Sequence, residues 1–210
     1  GGMIPAGGSQ SEPTLWTSAG PEILENPSGA NWNPVTSISS DGSAIAGGNS
    51  QAYRWTESGG FQNLGYLPGT TFSRGRDISG DGSIVVGESA GSSPGSATQA
   101  FRWTQAEGMV GLGYLPGAPF ATSLATAISE DGSTIVGWSF ASDFTIHAFR
   151  WTSDAGMVSL GQLPSDDESY AMAVSGDGSL IVGLSLNPIE RDLFIWTPQS
   201  GMLSLVELMK

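Results

Sequence analysis

Two landmarks recur along the chain with matching, irregular spacing. A Trp-Thr pair falls at Trp16, Trp55, Trp103, Trp151 and Trp196, at intervals of 39, 48, 48 and 45 residues. An Asp-Gly pair falls at Asp41, Asp81, Asp131 and Asp177, at intervals of 40, 50 and 46. A repeat of this size restricts a chain to solenoids, propellers or similar arrays, because one such unit cannot bury its apolar face alone. The 31 glycines and 12 prolines fit many short strands joined by tight turns.

The clearest unit, AISEDGSTIVGWSFASDFTIHAFRWTSDAGMVSLG at 127–161, reads as four strands over 125–129, 134–139, 148–152 and 157–161. Asp131-Gly132 supplies the positive-φ positions of a tight hairpin between the first two. Glycine recurs at one register of the second strand, as at Gly137, which predicts adjacent sheets pressed closely together.

Four complete units follow from this pattern, roughly 36–65, 76–113, 126–161 and 172–205. A fifth, over 3–25, aligns Ile4-Pro5-Ala6-Gly7-Gly8-Ser9-Gln10 with Ile45-Ala46-Gly47-Gly48-Asn49-Ser50-Gln51 and keeps Leu15-Trp16-Thr17. Pro5 suits an edge strand, so this unit is expected to lack its inner strand. The sequence thus predicts an all-β fold: one β-propeller domain over 1–210, with about five blades of four strands, the N-terminal one incomplete. An open edge there is expected to be blunted by Pro5, filled by another segment, or paired in an oligomer.

Charge narrows the partners. Twenty acidic residues against seven basic give a net charge of −13. That field repels nucleic acid and anionic lipid, so neither nucleic-acid binding nor membrane insertion is expected. With no cysteine, thiol catalysis and thiolate metal sites are excluded.

The repeated polar residues read as scaffold. Asp-Gly turns offer one carboxylate each, too few for calcium, and suit hairpin geometry on backbone grounds. Arg54, Arg102 and Arg150 are expected to pair locally, since Leu15 and Ile195 break any ring of arginines. His147 is the sole histidine, and no serine or aspartate can be assigned to it from the sequence. Neither a metal nor a cofactor is expected, nor any catalytic residue.

Residues that differ between copies are the candidates for binding. Trp32, Phe72, Phe120 and Tyr170 each lie near the start of an inner strand, in segments read as polar loops. In a propeller these loops converge on one face, where aromatics stack on sugar rings or anchor a peptide. Arg74, Arg76, Asp77 and Glu168 are their polar company. The reading that follows is a non-enzymatic module binding a glycan or a protein. A glycoside hydrolase or lyase is the alternative and needs two facing carboxylates, whereas Ser37, Ala127 and Ala173 occupy the positions matching Asp77. A structural spacer within a larger surface protein is the third.

The run Leu-Gly-x-Leu-Pro-Gly at 64–69 and 112–117, the segments like Ile128-Ser129-Glu130-Asp131-Gly132-Ser133, and Ala-Phe-Arg-Trp-Thr resemble the HAF-type bacterial extracellular repeats. His147-Ala148-Phe149 matches the motif that names the family. The resemblance covers about 4–205 and implies a secreted or surface-displayed bacterial protein. It implies no reaction and no catalytic residue. The fourth unit departs from it, with Leu193-Phe194-Ile195 for Ala-Phe-Arg and Pro164-Ser165 for Pro-Gly.

Overall fold

Each Asp-Gly landmark closes a turn through a serine, a carboxylate and a glycine. In the computed structural model, which describes residues 14–17, 20–24, 34–93 and 95–208, Ser129 Oγ donates to Asp131 Oδ1 at 2.6 Å. The Ser133 amide donates to the same oxygen at 2.9 Å, and the Thr134 amide returns to Ser129 Oγ at 3.0 Å. Gly132 takes φ 72°, in the left-handed region where a Cβ is penalised. The turn is one residue longer at each end than the 130–133 connection read from the sequence, since β11 ends at Ile128 and β12 begins at Ile135. Only its glycine has positive φ.

The Trp-Thr landmark closes the other hairpin. Thr56, Thr104, Thr152 and Thr197 each accept, on the hydroxyl, the amide three residues on, at 3.1–3.3 Å. The glycine that follows, such as Gly156 at φ 67°, lets the chain turn back.

Four antiparallel sheets of four strands result, each a simple meander. Blade 1 holds β3 (Val35–Ile38), β4 (Ala44–Gly47), β5 (Tyr53–Thr56) and β6 (Gly60–Asn63). Blade 2 holds β7 (Phe72–Ile78), β8 (Ile84–Ala90), β9 (Thr98–Thr104) and β10 (Gly108–Gly111). In blade 3 they are β11 (Ser123–Ile128), β12 (Ile135–Phe140), β13 (Ile146–Thr152) and β14 (Gly156–Gly161). Blade 4 comprises β15 (Glu168–Val174), β16 (Ile181–Leu186), β17 (Arg191–Thr197) and β18 (Gly201–Ser204). A short pair, β1 (Thr14–Thr17) with β2 (Gly20–Ile23), supplies two strands of the N-terminal unit, and α1 (Leu205–Leu208) packs on β17 and β18. The Pro5 edge and the alignment at Ile4 lie outside the described residues. No helix among the described residues is long and apolar enough to cross a membrane.

Blades are joined by apolar layers with serine latches above them. Val86, Ala100 and Leu112 of blade 2 meet Ala125, Ile128, Ile135 and Phe149 of blade 3. Val136 and Ala148 of blade 3 meet Ala171, Ile181 and Phe194 of blade 4 in the same manner. Near the start of each inner strand, Ser73, Ser123 and Ser169 accept the amides of Ala52, Ala100 and Ala148 at 2.8–2.9 Å. They donate to the carbonyls of Gly65, Gly113 and Gly161 at 2.6–2.7 Å. Buried hydroxyls therefore satisfy both a donor and an acceptor of the preceding blade.

The recurrent glycine of the second strand has a different cause from the one expected. A register shift between Gly75 and Asp77, repeated between Ala125 and Ala127 and between Ala171 and Ala173, makes each inner strand bulge. A Cβ on Gly137 would lie 1.9 Å from the Leu124 carbonyl oxygen of its own blade. The close neighbour is the inner strand of the same sheet, not the next sheet.

Candidate functional site

The upper face, where β7, β11 and β15 begin, carries the residues that vary between copies. Five of the sequence candidates belong to strands and not to loops: Phe72 opens β7, Arg74, Arg76 and Asp77 follow within it, and Tyr170 sits third in β15. The inner strands start earlier than alternation suggested because their first residues still pair, as Phe72 with Ala90 and Glu168 with Leu186. Phe120 does lie in a loop and is 51% exposed. Trp32 lies outside the described residues.

The aromatics do not form a ring. No ring contact among the described residues joins Phe72, Phe120 and Tyr170 to one another. Each has a partner of its own. Arg74 stands over the Phe72 ring with its guanidinium carbon 5.7 Å from the centroid. Tyr170 meets Trp138 edge-on at 5.8 Å, and its hydroxyl donates to Glu168 Oε2 at 2.7 Å. Burial, with this bond to a carboxylate, pushes the Tyr170 phenol well above its ordinary value.

The charged candidates are internally engaged. Asp77 Oδ1 accepts Ser37 Oγ at 2.6 Å and its neighbouring Ile78 amide at 2.9 Å, while Oδ2 accepts the Ile128 amide at 2.9 Å. Its carboxylate thus ties the inner strands of blades 1, 2 and 3 together. Arg76 grips Glu88 by two bonds, 2.6 and 2.9 Å, and Glu88 is buried. Arg74 donates to Asn49 Oδ1 at 2.6 Å. A hydrolase mechanism would need two carboxylates free to face substrate, and Asp77 and Glu88 are both spent on these bonds.

The other repeated residues have local partners too. Arg54 donates to the Gly82 carbonyl, Arg102 to Glu107, and Arg150 to the Thr134 hydroxyl. Asp41, Asp81, Asp131 and Asp177 each bond within their own turns.

Sequence reasoning missed a patch around Phe120. Its ring lies 5.0 Å from Phe140 and 6.2 Å from Phe144, both edge-on. Phe144 is 67% exposed and holds φ 70°, a conformation that costs a non-glycine residue about 1 kcal/mol or more. The loop imposes it. The Phe144 amide donates to the Ala141 carbonyl, and the Ala141 amide to the Thr145 carbonyl. Asp143 Oδ1 accepts both the amide and the hydroxyl of Thr145, at 3.1 and 2.8 Å. These hydroxyl and amide bonds, with His147 beside it, hold the Asp143 carboxyl below its usual range. His147 bridges Asp143 Oδ2, at 3.1 Å, to Ser159 Oγ, at 2.8 Å. The signal in the sequence was the short Asp-Phe-Thr segment, which fits an Asx turn with its aromatic at the tip.

Comparison with known proteins gives a fold. No family model matches the chain, and no curated protein sequence does. Among solved structures it is similar to TolB from Acinetobacter baumannii, with TM-score 0.60 and 14% identity, over 91% of this chain and 48% of that one. It is also similar to the putative TolB from Agrobacterium tumefaciens, with TM-score 0.59 and 16% identity, over 92% and 79%. A structure from a study of two prolyl endopeptidases aligns with TM-score 0.59 and 12% identity, over 90% of this chain and 31% of its own. The chain thus spans about half of the first of these proteins. At such identities the likeness establishes architecture alone, and the architecture is that of a β-propeller.

Proposed function

We propose that this propeller is a non-enzymatic binding module that presents its upper face to a macromolecular ligand, a glycan or a protein. One observation carries the reading: Phe120 and Phe144 stand exposed on adjoining loops, one of them on strained backbone, on a scaffold whose repeated polar groups are consumed internally. Exposed aromatics on loops held by a rigid frame are the usual anchors of recognition. The engaged state of Asp77 and Glu88 weighs against the hydrolase alternative.

Resemblance of the repeat motifs to HAF-type repeats supports membership of that family and a place outside the bacterial cytoplasm, secreted or on the surface. Fractionating a bacterial culture that expresses the full-length gene, with immunodetection of the propeller, tests that placement; a purely cytoplasmic signal overturns it. For the binding reading, glycan and protein arrays are probed with wild type and with Phe72→Ala, Phe120→Ala and Tyr170→Ala. Loss of an array ligand in at least one variant supports the upper face. A ligand indifferent to all three sinks it.

A further inference from the structure

Blades 3 and 4 make the upper face unequal. Between Gly117 and Leu193, their loops and strand ends on this face carry Asp143, Asp166, Asp167, Glu168, Glu190 and Asp192 against one arginine, Arg191. The two described non-glycine residues with positive φ are also here: Phe144 at 70°, and Ser165 at 74° where the earlier copies have Gly69 and Gly117. Neighbouring loops are braced. Gln162 Nε2 donates to Thr145 Oγ1 at 3.0 Å, and a Cβ on Gly117 would lie 3.1 Å from that of Ser142. Backbone strain that the surroundings hold in place marks a shape worth keeping for function.

Gln162 is followed by Leu163, which with Asp166, Glu190, Arg191, Asp192, Glu207 and others lines a cleft of about 610 Å³ on blade 4. Ser204 Oγ donates to Asp192 Oδ2 at 2.6 Å. Asp192 Oδ1 is buried without a hydrogen-bond partner. A buried carboxylate oxygen left without a donor is costly, and an incoming cation supplies one.

Resting on the reading of the upper face as a binding surface, we infer that blades 3 and 4 dock a cationic segment of a partner protein. Its apolar side chains cover Phe120, Phe140 and Phe144, and a lysine or arginine enters the cleft at Asp192. Aromatic rings without polar handles suit aliphatic or aromatic anchors, and the surrounding carboxylates select a basic partner and speed its approach.

Fluorescence anisotropy with a labelled synthetic decapeptide of alternating leucine and lysine tests this. Two companions have glutamate in place of lysine and serine in place of leucine. The leucine-lysine peptide is expected to bind saturably and more weakly as salt rises. Phe120→Ser and Phe144→Gly leave net charge unchanged and are expected to weaken it about tenfold each, as loss of a central anchor does. Asp192→Asn is expected to weaken it and flatten the salt dependence. Because glycine accepts the φ of residue 144, Phe144→Gly is expected to raise the melting temperature while binding falls, which separates docking from folding. Equal binding of the glutamate peptide, wild-type binding by both phenylalanine variants, or no saturable binding overturns the inference. If an array ligand is lost in Phe72→Ala or Tyr170→Ala while no peptide binds, the upper-face reading stands and this partner class fails.

Discussion

Four aspartates keep their charge because the turns they shape donate to it. The Ser39 hydroxyl, then the Ser43 amide, bring Asp41 down to about 2 from 3.8, and Ser175 and Ser179 do the same for Asp177. Asp81 and Asp131 are lowered by the matching serines. A folded value below the unfolded one means that the stabilisation is complete above the unfolded value and fades as pH falls through the folded one. Asp177→Asn is therefore expected to melt below wild type at neutral pH. That gap should close between about pH 4 and pH 2, as circular dichroism melts at several pH values would record. These turns were legible, since Asp-Gly has few other uses at such spacing. Their serine partners were not, because serine is common throughout the chain. Phe144 was also hidden: intrinsic preference argues against φ 70° for phenylalanine, and only the bonds of Asp143, Thr145 and Ala141 impose it.

Strands obey the same limit. Alternation found all four strands of each complete unit, and the ends shifted where polar residues pair, as at Phe72–Arg74 and Glu168–Tyr170. No periodicity marks a bulge, so Gly137 was assigned to contact between sheets. The bulge makes a sharper prediction. Gly137→Ala places a Cβ 1.9 Å from the Leu124 carbonyl. It should cost about 3 kcal/mol in urea denaturation, in the range for overpacking against backbone. Gly156→Ala, at φ 67° with open space around it, should cost about 1 kcal/mol from backbone strain alone. Equal losses at the two positions would remove the bulge as the cause.

At the scale of the whole molecule, the faces of the blades follow one plan until the last. Ala100 and Ala148 are fully buried by the next blade, whereas Leu193, in the matching register of blade 4, is 50% exposed. Val182, matching Val86 and Val136, is 37% exposed. A lysine placed at Leu193 should therefore change stability by less than about 0.5 kcal/mol, whereas Ala148→Lys, burying a charge between blades, should prevent cooperative folding. Thermal melts of the two variants decide it; comparable damage from both would mean that Leu193 is covered in solution. Repeat spacing alone revealed the propeller, because two landmarks with one irregular period leave few architectures. It revealed the site only in part. Phe120 was named from sequence, while Phe140, Phe144 and the Asp192 cleft depend on loops whose form no repeat dictates.

The serine latch also bears on how such a molecule came to its present size. Ser123 serves the blade before it, while the Ala148 amide and the Gly161 carbonyl serve the blade after. A repeat duplicated in frame would carry both halves of that junction with it. Unequal crossing-over between copies can thus lengthen or shorten the array without inventing an interface, leaving the upper loops free to diverge one copy at a time.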